Sequence, residues 1–191
     1  MALTLISTPL DITTSDTAVS SVAITSGIDD TYDSYEFHFV NMVPSTNASI
    51  LAFQVDTGTN TSYNQQITSS TFEAEHDEGD SDGGAALQYR TNRDQANGTE
   101  YQQLGEYIYS NTADESGSGV LTLYAPSSPT YVKHWASVFN AYGNAVTQVS
   151  YHGGYINTAT AITRIRFAMV NNAMAAQGNI EAGTIKMFGV S

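Results

Sequence analysis

Cysteine is absent from this chain of 191 residues, and positive charge is scarce. Without cysteine there are no disulfides, no thiolate zinc sites and no cysteine nucleophiles. Six Lys and Arg stand against 19 Asp and Glu, which gives a formal net charge of −13. A nucleic-acid-binding protein needs a basic surface, and so does a protein that docks on anionic lipid. The charge balance therefore argues against both classes.

Long apolar runs are also missing, since none approaches the roughly 18 residues of a membrane-spanning helix. The first residues lack the basic segment of a secretory signal, so none is expected. Charged residues make up only 13% of the chain, and neutral polar residues take their place, with 20 Ser, 23 Thr, 13 Asn and 9 Gln. The hydrophobic share of 41% is that of a folded protein and not of a disordered tail.

The composition favours strands over helices. Leucine, a helix former, is scarce at 8 residues against 24 Ile and Val. Hydrophobic and polar residues alternate along four segments, which are Ser34–Val40, Ile50–Asp56, Gly119–Ala125 and Tyr131–Val138. A period of two is typical of antiparallel strands with one face in the core and the other in water.

Six further segments are compatible with strands and are separated by turn-forming residues. They are Val19–Thr25, Gln66–Glu75, Ala85–Arg90, Val146–Tyr151, Thr163–Val170 and Gly183–Val190. About ten short strands with polar turns predict an all-β fold, an antiparallel β-sandwich of jelly-roll-like type. One short helix is predicted at Asn171–Gln177, with Gly178 as its C-cap. Residues 1–17 are predicted to form an extended N-terminal arm, and residues 18–191 a single β-sandwich domain.

The acidic segment Glu73–Gly84 contains a candidate calcium site. Glu78, Asp80 and Asp82, followed by Gly83, match part of the order of a calcium-binding loop. The last position of such a loop, where a bidentate Glu belongs, falls on Tyr89. A solvated hairpin loop is therefore the favoured interpretation, and no metal or cofactor is predicted.

No catalytic signature is visible in the sequence. The four histidines lie far apart, without the spacing of metal ligands, and no Gly-x-Ser-x-Gly nucleophile elbow occurs. Paired carboxylates for glycoside hydrolysis have five candidates, whose spacing selects no pair. These candidates are Glu36, Glu73, Glu75, Glu100 and Glu106. We therefore predict no catalytic residue and expect the protein not to be an enzyme.

Aromatic residues are the most suggestive feature, because 12 Tyr accompany abundant Ser, Thr, Asn and Gly. A similar mixture occurs in antibody paratopes, where Tyr gives rigid contact area and small polar residues adapt. Five tyrosines near strand ends or turns are candidates for a contact surface that stacks on sugar rings or binds a protein. They are Tyr101, Tyr107, Tyr109, Tyr151 and Tyr155. The competing interpretation is that Tyr is simply a good strand residue with one polar edge.

Four stretches of the chain resemble a family of marine tailed-phage (cyanophage-type) proteins that are virion structural or uncharacterised. The stretches are Ile6–Asp11, Val22–Phe37, Gly119–Pro126 and the closing Gly183–Val190. The resemblance includes the pattern Asp-Ser-Tyr-x-Phe at residues 33–37 and spans essentially the whole chain. It implies a β-sandwich on a phage particle, in the tail, a fibre or the capsid exterior. It supplies no catalytic residue.

Together these observations lead us to expect a non-enzymatic virion structural protein. The favoured placement is a tail, fibre or spike component that contacts the host surface. Capsid decoration and a carbohydrate-binding module are the alternatives. The expected partners are other virion proteins, further copies of the chain with a trimer favoured, and a host-surface glycan, but neither nucleic acid nor membrane. The chain would be made in the host bacterial cytoplasm and end in the virion.

Overall fold

The computed structural model describes residues 2–80 and 85–191, and every regular element in these ranges is a strand. The strands are β1 (Leu3–Ile12), β2 (Val22–Ile24), β3 (Ser34–Pro44), β4 (Ile50–Thr57), β5 (Ile67–Asp77), β6 (Ala85–Tyr89), β7 (Ala96–Gly98), β8 (Gln102–Gln103), β9 (Ser116–Tyr124), β10 (Lys133–Gly143), β11 (Val146–Ile156), β12 (Ile162–Val170) and β13 (Ile180–Val190). Among these residues there is no helix of the length and apolarity needed to cross a membrane.

The strands form two antiparallel sheets that pack face to face. The large sheet has the order β1-β13-β3-β9-β10-β11-β5-β6, with β7 also paired to β5, and the small sheet has the order β2-β12-β4-β8. This confirms the predicted all-β antiparallel sandwich. Nine strands face four, whereas a jelly roll divides eight strands between two sheets. The jelly-roll-like detail of the prediction is therefore not confirmed.

The core lies between the sheets and follows the alternation seen in the sequence. On β3, Tyr35, Phe37 and Phe39 are almost completely buried. Phe37 and Phe39 contact Phe167 of the small sheet, with ring centroids 5.4 and 5.1 Å apart. Burying a phenylalanine contributes about 1.5–3 kcal/mol. The alternating pattern of β3 thus selects the face that holds the two sheets together.

Most of the segment expected to be an extended arm is an edge strand in this chain. β1 pairs with β13 from Leu3 opposite Val190 to Ile12 opposite Gly183. Only Leu10 of β1 is fully buried, and Leu3 and Leu5 are about half exposed. The strand is therefore held by its backbone hydrogen bonds to one neighbour and by Leu10, Ile6 and Ile12, which pack against the core.

The predicted helix at Asn171–Gln177 is wrong, because this segment forms the turn between β12 and β13. The side-chain oxygen Oδ1 of Asn171 accepts hydrogen bonds from the backbone N–H of Ala173 at 2.9 Å and of Ala175 at 3.2 Å. Met174 adopts a positive φ of 61°. Asn side chains compete in this way with helical hydrogen bonding, which explains why helix-forming residues close a turn here.

Candidate functional site

A cluster of buried charged side chains, here called the charge network, lies between the large sheet and the loops that follow β6 and β8. Arg90 Nε lies 3.2 Å from Glu106 Oε1 and also contacts Glu73 Oε1. Arg93 donates from Nε to Glu106 Oε1 at 2.6 Å and from Nη2 to Glu106 Oε2. The fold thus selects, from the five candidate glutamates, the two that share an arginine.

Neutral amides complete the charge network and connect distant segments. Gln88 Nε2 donates to Glu73 Oε1 at 3.1 Å. Arg93 Nη1 donates to Asn172 Oδ1 at 2.5 Å and to Gln103 Oε1 at 3.3 Å. Asn172 belongs to the β12–β13 turn, so one guanidinium joins three parts of the chain. Removing one partner of such a buried ion pair costs about 3–5 kcal/mol, because the other charge is left without compensation.

The two carboxyl groups of the charge network have pKa values displaced in opposite directions. Burial, together with the neighbouring Glu106, raises the pKa of Glu73 to about 8. Burial also acts to raise the pKa of Glu106, but the bidentate Arg93 outweighs it and holds that pKa below its usual range. At neutral pH Glu73 is therefore largely a carboxylic acid beside an ionised Glu106.

Two buried polar atoms next to this pair have no hydrogen-bonding partner within the described part of the chain. They are Ser150 Oγ and His152 Nε2. Ser150 stands directly opposite Glu73 in the β5–β11 pairing, and His152 stands opposite Thr71. Burial lowers the pKa of His152 to about 3, so its ring is neutral, and Nδ1 lies 2.9 Å from Thr71 Oγ1. Buried polar atoms without partners lower the stability of the folded chain, so this region of the core is energetically unfavourable.

A carboxylic acid beside a carboxylate is the arrangement that glycoside hydrolysis requires. Glu73 and Glu106 are, however, at most 1% exposed. A sugar bound at the surface cannot touch either group. The charge network therefore anchors the long segment between β6 and β9 against the large sheet, and it is not open to a substrate.

The outer face of the large sheet, formed by β9, β10, β11, β5 and β6, differs from the rest of this acidic protein. The charged residues on these five strands are Glu73, Glu75, Asp77 and Lys133. All four occupy positions that alternate to the inner side. Within the described residues, this outer face therefore carries neither Asp, Glu, Lys nor Arg.

One row of outward side chains, here called the ridge, crosses these strands in direct register. It consists of Val120, Val138, Tyr151, Phe72 and Tyr89. The rings of Phe72 and Tyr151 are stacked, with centroids 4.9 Å apart and an interplanar angle of 10°. Phe72, Tyr89 and Tyr151 are 47%, 56% and 40% exposed. The ridge is therefore a line of large, water-exposed apolar groups.

The adjacent row, here called the trough, is built from small side chains. It consists of Thr122, Ala136, Gly153 and Ser70, which also face one another across the four strands. Two shallow depressions of about 260 Å³ each lie along it, one lined by β9 and β10 and the other by β11 and β5. Tyr124 lines the first depression, and Tyr155 the second, so aromatic rings flank the trough on its far side.

The five tyrosines predicted as a contact surface do not form one surface. Tyr151 and Tyr155 lie on the outer face of the large sheet. Tyr101 and Tyr107 pack against Ile50, Ala52 and Val170 of the small sheet, and arginine guanidinium groups lie 5.1 and 4.8 Å from their ring centroids. The ring centroids of Tyr109 and Tyr107 lie 6.2 Å apart. The sequence missed Phe72, Tyr89 and Tyr124, because only strand register shows that they share a face with Tyr151 and Tyr155.

The candidate calcium site is only partly within the described residues. Asp80 has a side chain that is 94% exposed, and its Oδ1 lies 3.5 Å from His76 Nε2. Asp82 and Gly83 lie outside the described residues. In the ranges that the structure covers, no group of three or more His, Asp or Glu is placed to hold a metal ion. The solvated-loop interpretation remains the favoured one.

No family model, curated protein or solved structure matches this chain. The two features that bear on function are the charge network and the outer face of the large sheet. The carboxyl groups of the charge network are closed to solvent, and the outer face of the large sheet is open to it. The outer face is accordingly the candidate functional site.

Proposed function

We propose that the chain is a non-enzymatic structural protein of a bacteriophage virion, exposed on the particle as a tail, fibre or spike component that contacts the host surface. The observation that carries this proposal is the uncharged, aromatic outer face of the large sheet on a chain of net charge −13. A contiguous exposed apolar surface in a folded protein marks an interaction site. The resemblance to tailed-phage proteins is the reason for assigning the chain to a phage particle.

The dimensions of the outer face suit a contact with another large molecule. Five neighbouring strands span about 24 Å across, and ten residues of strand extend about 33 Å, which gives roughly 800 Å². A standard protein interface buries about 800 Å² on each partner. We infer that the face meets the host surface, and that other surfaces of the chain meet other virion proteins and further copies of the chain, with a trimer favoured.

The absence of cysteine supports synthesis of the chain in a bacterial host. A chain without cysteine folds without disulfides in the reducing cytoplasm of a bacterial host. Its high negative charge keeps the free subunits soluble before assembly, and salt at marine concentration screens that charge over a few ångströms. Repulsion between neighbouring copies on one particle is then weak.

Two alternatives remain proposals of the same kind. A capsid decoration protein would use the outer face to bind the shell. A carbohydrate-binding module would use the trough and the exposed rings of the ridge to bind sugars. Because Glu73 and Glu106 are buried, a carbohydrate-binding module would bind sugars without hydrolysing them.

The test is to locate the chain on purified particles. Phage particles from a lysate in which the chain is made are analysed by mass spectrometry and labelled with an antibody against it. We expect the chain at a fixed copy number, with label on the tail. Label on the capsid would favour the decoration alternative, and particles that lack the chain would refute a virion role. Light scattering of the purified protein at low and at marine salt is expected to give a trimer.

A further inference from the structure

We propose that the trough on the outer face of the large sheet binds an uncharged glycan chain, which lies across β9, β10, β11 and β5 beside the aromatic ridge. This inference rests on the proposed function, since it names the ligand class of the host contact. It is carried by one glycine, by the arrangement of rings and hydroxyls, and by the absence of charge.

Gly153 is a glycine that the fold itself does not require. A Cβ built at Gly153 would meet nothing nearer than the Trp135 carbonyl oxygen, 3.9 Å away, and its φ is not in the left-handed region. The neighbouring Gly154 is different, because its Cβ would stand 2.3 Å from the Thr68 carbonyl oxygen. A glycine inside a strand weakens the strand, and it often marks a site where a ligand or another backbone approaches closely. Gly153 therefore keeps the middle of the trough open.

The walls and floor of the trough offer what a sugar chain requires. Stacked rings of Phe72 and Tyr151 stand along one side, and Tyr155 lies along the other. Because Phe72 and Tyr151 turn one face toward each other along the ridge, the edges of their rings line the trough and offer apolar contact to the side of a sugar ring. The hydroxyls of Ser70 and Thr122 lie on the floor, and neither is engaged in a hydrogen bond within the described chain. They are free to pair with sugar hydroxyls.

The charge of the molecule restricts the glycan to a neutral one. The trough contains no Lys or Arg, and the whole chain carries −13. Uronic or sulfated sugars would be repelled and would find no cation to pair with. The trough crosses three strand spacings, about 14 Å, which is sufficient for a short oligosaccharide.

A second copy of the chain fits this surface less well. The ridge stands above the floor of the trough, so a flat sheet face resting on Tyr151 and Phe72 would leave the floor at Gly153 uncovered. A narrow ligand reaches the floor and the rings together.

The experiment measures binding of the purified full-length chain to a glycan array that contains neutral, uronic and sulfated oligosaccharides. The best neutral oligosaccharide is then titrated by calorimetry. Gly153→Val fills the trough, and Tyr151→Ala removes a ring of the ridge. Gly79→Val is the control, because a Cβ at Gly79 also meets nothing within 4 Å among the described residues, and Gly79 lies in the turn after β5 and not in the trough. Thermal melting shows that each variant is folded.

We expect binding of at least one neutral oligosaccharide, a loss of tenfold or more in affinity for both Gly153→Val and Tyr151→Ala, and no change for Gly79→Val. No binding on the array would overturn the inference, and so would a preference for charged sugars. Binding that Gly153→Val leaves intact would also overturn it. If Gly153→Val instead abolishes an oligomer seen by light scattering, the face is a contact between copies. Particle labelling is scored separately, so glycan binding without particle association would reject only the proposed function.

Discussion

Stability should depend on pH in an unusual way, because Glu73 is buried as an acid. Its pKa is about 8 in the folded chain, against an ordinary value of 4.5. Between these pH values the folded chain holds a proton that the unfolded chain releases. The stabilisation is therefore fully present below pH 4.5 and is lost as the pH rises through 8. The full displacement corresponds to at most about 5 kcal/mol, at about 1.4 kcal/mol per pKa unit.

His152 acts with the opposite sign. Its pKa is about 3 in the folded chain, against an ordinary value of 6.5, so the unfolded chain binds the extra proton between these values. Its contribution is present above pH 6.5 and is lost as the pH falls through 3. Between pH 4.5 and 6.5 the slopes due to Glu73 and His152 cancel. We expect maximal stability in that window, with a decline toward pH 8 and another toward acid.

Urea unfolding of the wild type and of Glu73→Gln at pH 5, 7 and 9 isolates the loss of stability at alkaline pH that is due to Glu73. Gln resembles the protonated acid, so the variant should keep its stability at pH 5 and lose the decline above it. The stability difference between the two proteins should change by several kcal/mol in favour of the variant by pH 9. Asp30→Asn, which changes an exposed carboxylate, should not produce this change. Parallel curves for the wild type and Glu73→Gln would refute a buried protonated Glu73.

Two further predictions concern single contacts. Arg93→Ala should lower the free energy of unfolding by about 3–5 kcal/mol, because it leaves Glu106 buried without its bidentate partner; urea unfolding measures this, and the double variant with Glu106→Leu should recover part of the loss. Gly154→Ala should lower stability by about 1–3 kcal/mol, because its Cβ would collide with the Thr68 carbonyl. Gly153→Ala should be neutral or stabilising by up to about 1 kcal/mol, and equal melting temperatures for the two glycine variants would contradict this account.

Much of the fold could be predicted from local sequence pattern. The alternation in Ser34–Val40 gave the correct buried face of β3, because a period of two depends only on neighbouring residues. The Asn171–Gln177 turn could not be found this way, since its Ala and Met residues favour a helix. There a single side-chain oxygen, Asn171 Oδ1, decides the outcome through hydrogen bonds that composition does not record.

The candidate sites depend on register between strands, which the sequence does not show. Glu73 and Glu106 were two of five candidates and meet only because the segment after β6 folds back onto β5. Phe72 and Tyr151 stack because β5 pairs with β11 in one particular register. A shift of one residue would turn every outward side chain of β5 inward. Pattern therefore predicts which strands exist but not which side chains meet on them.

The pairing of β1 with β13 bears on how the chain is made. β1 leaves the ribosome before its partner β13, and the other eleven strands of the described residues lie between them in the chain. At about 5–20 residues per second, β1 waits roughly ten to forty seconds for that partner. During this time Leu3 and Leu5 remain on an unpaired strand edge, which is a site for mispairing with other chains. Completion of this edge of the large sheet therefore has to wait for the synthesis of β13, and slowing synthesis between β1 and β13 should increase aggregation.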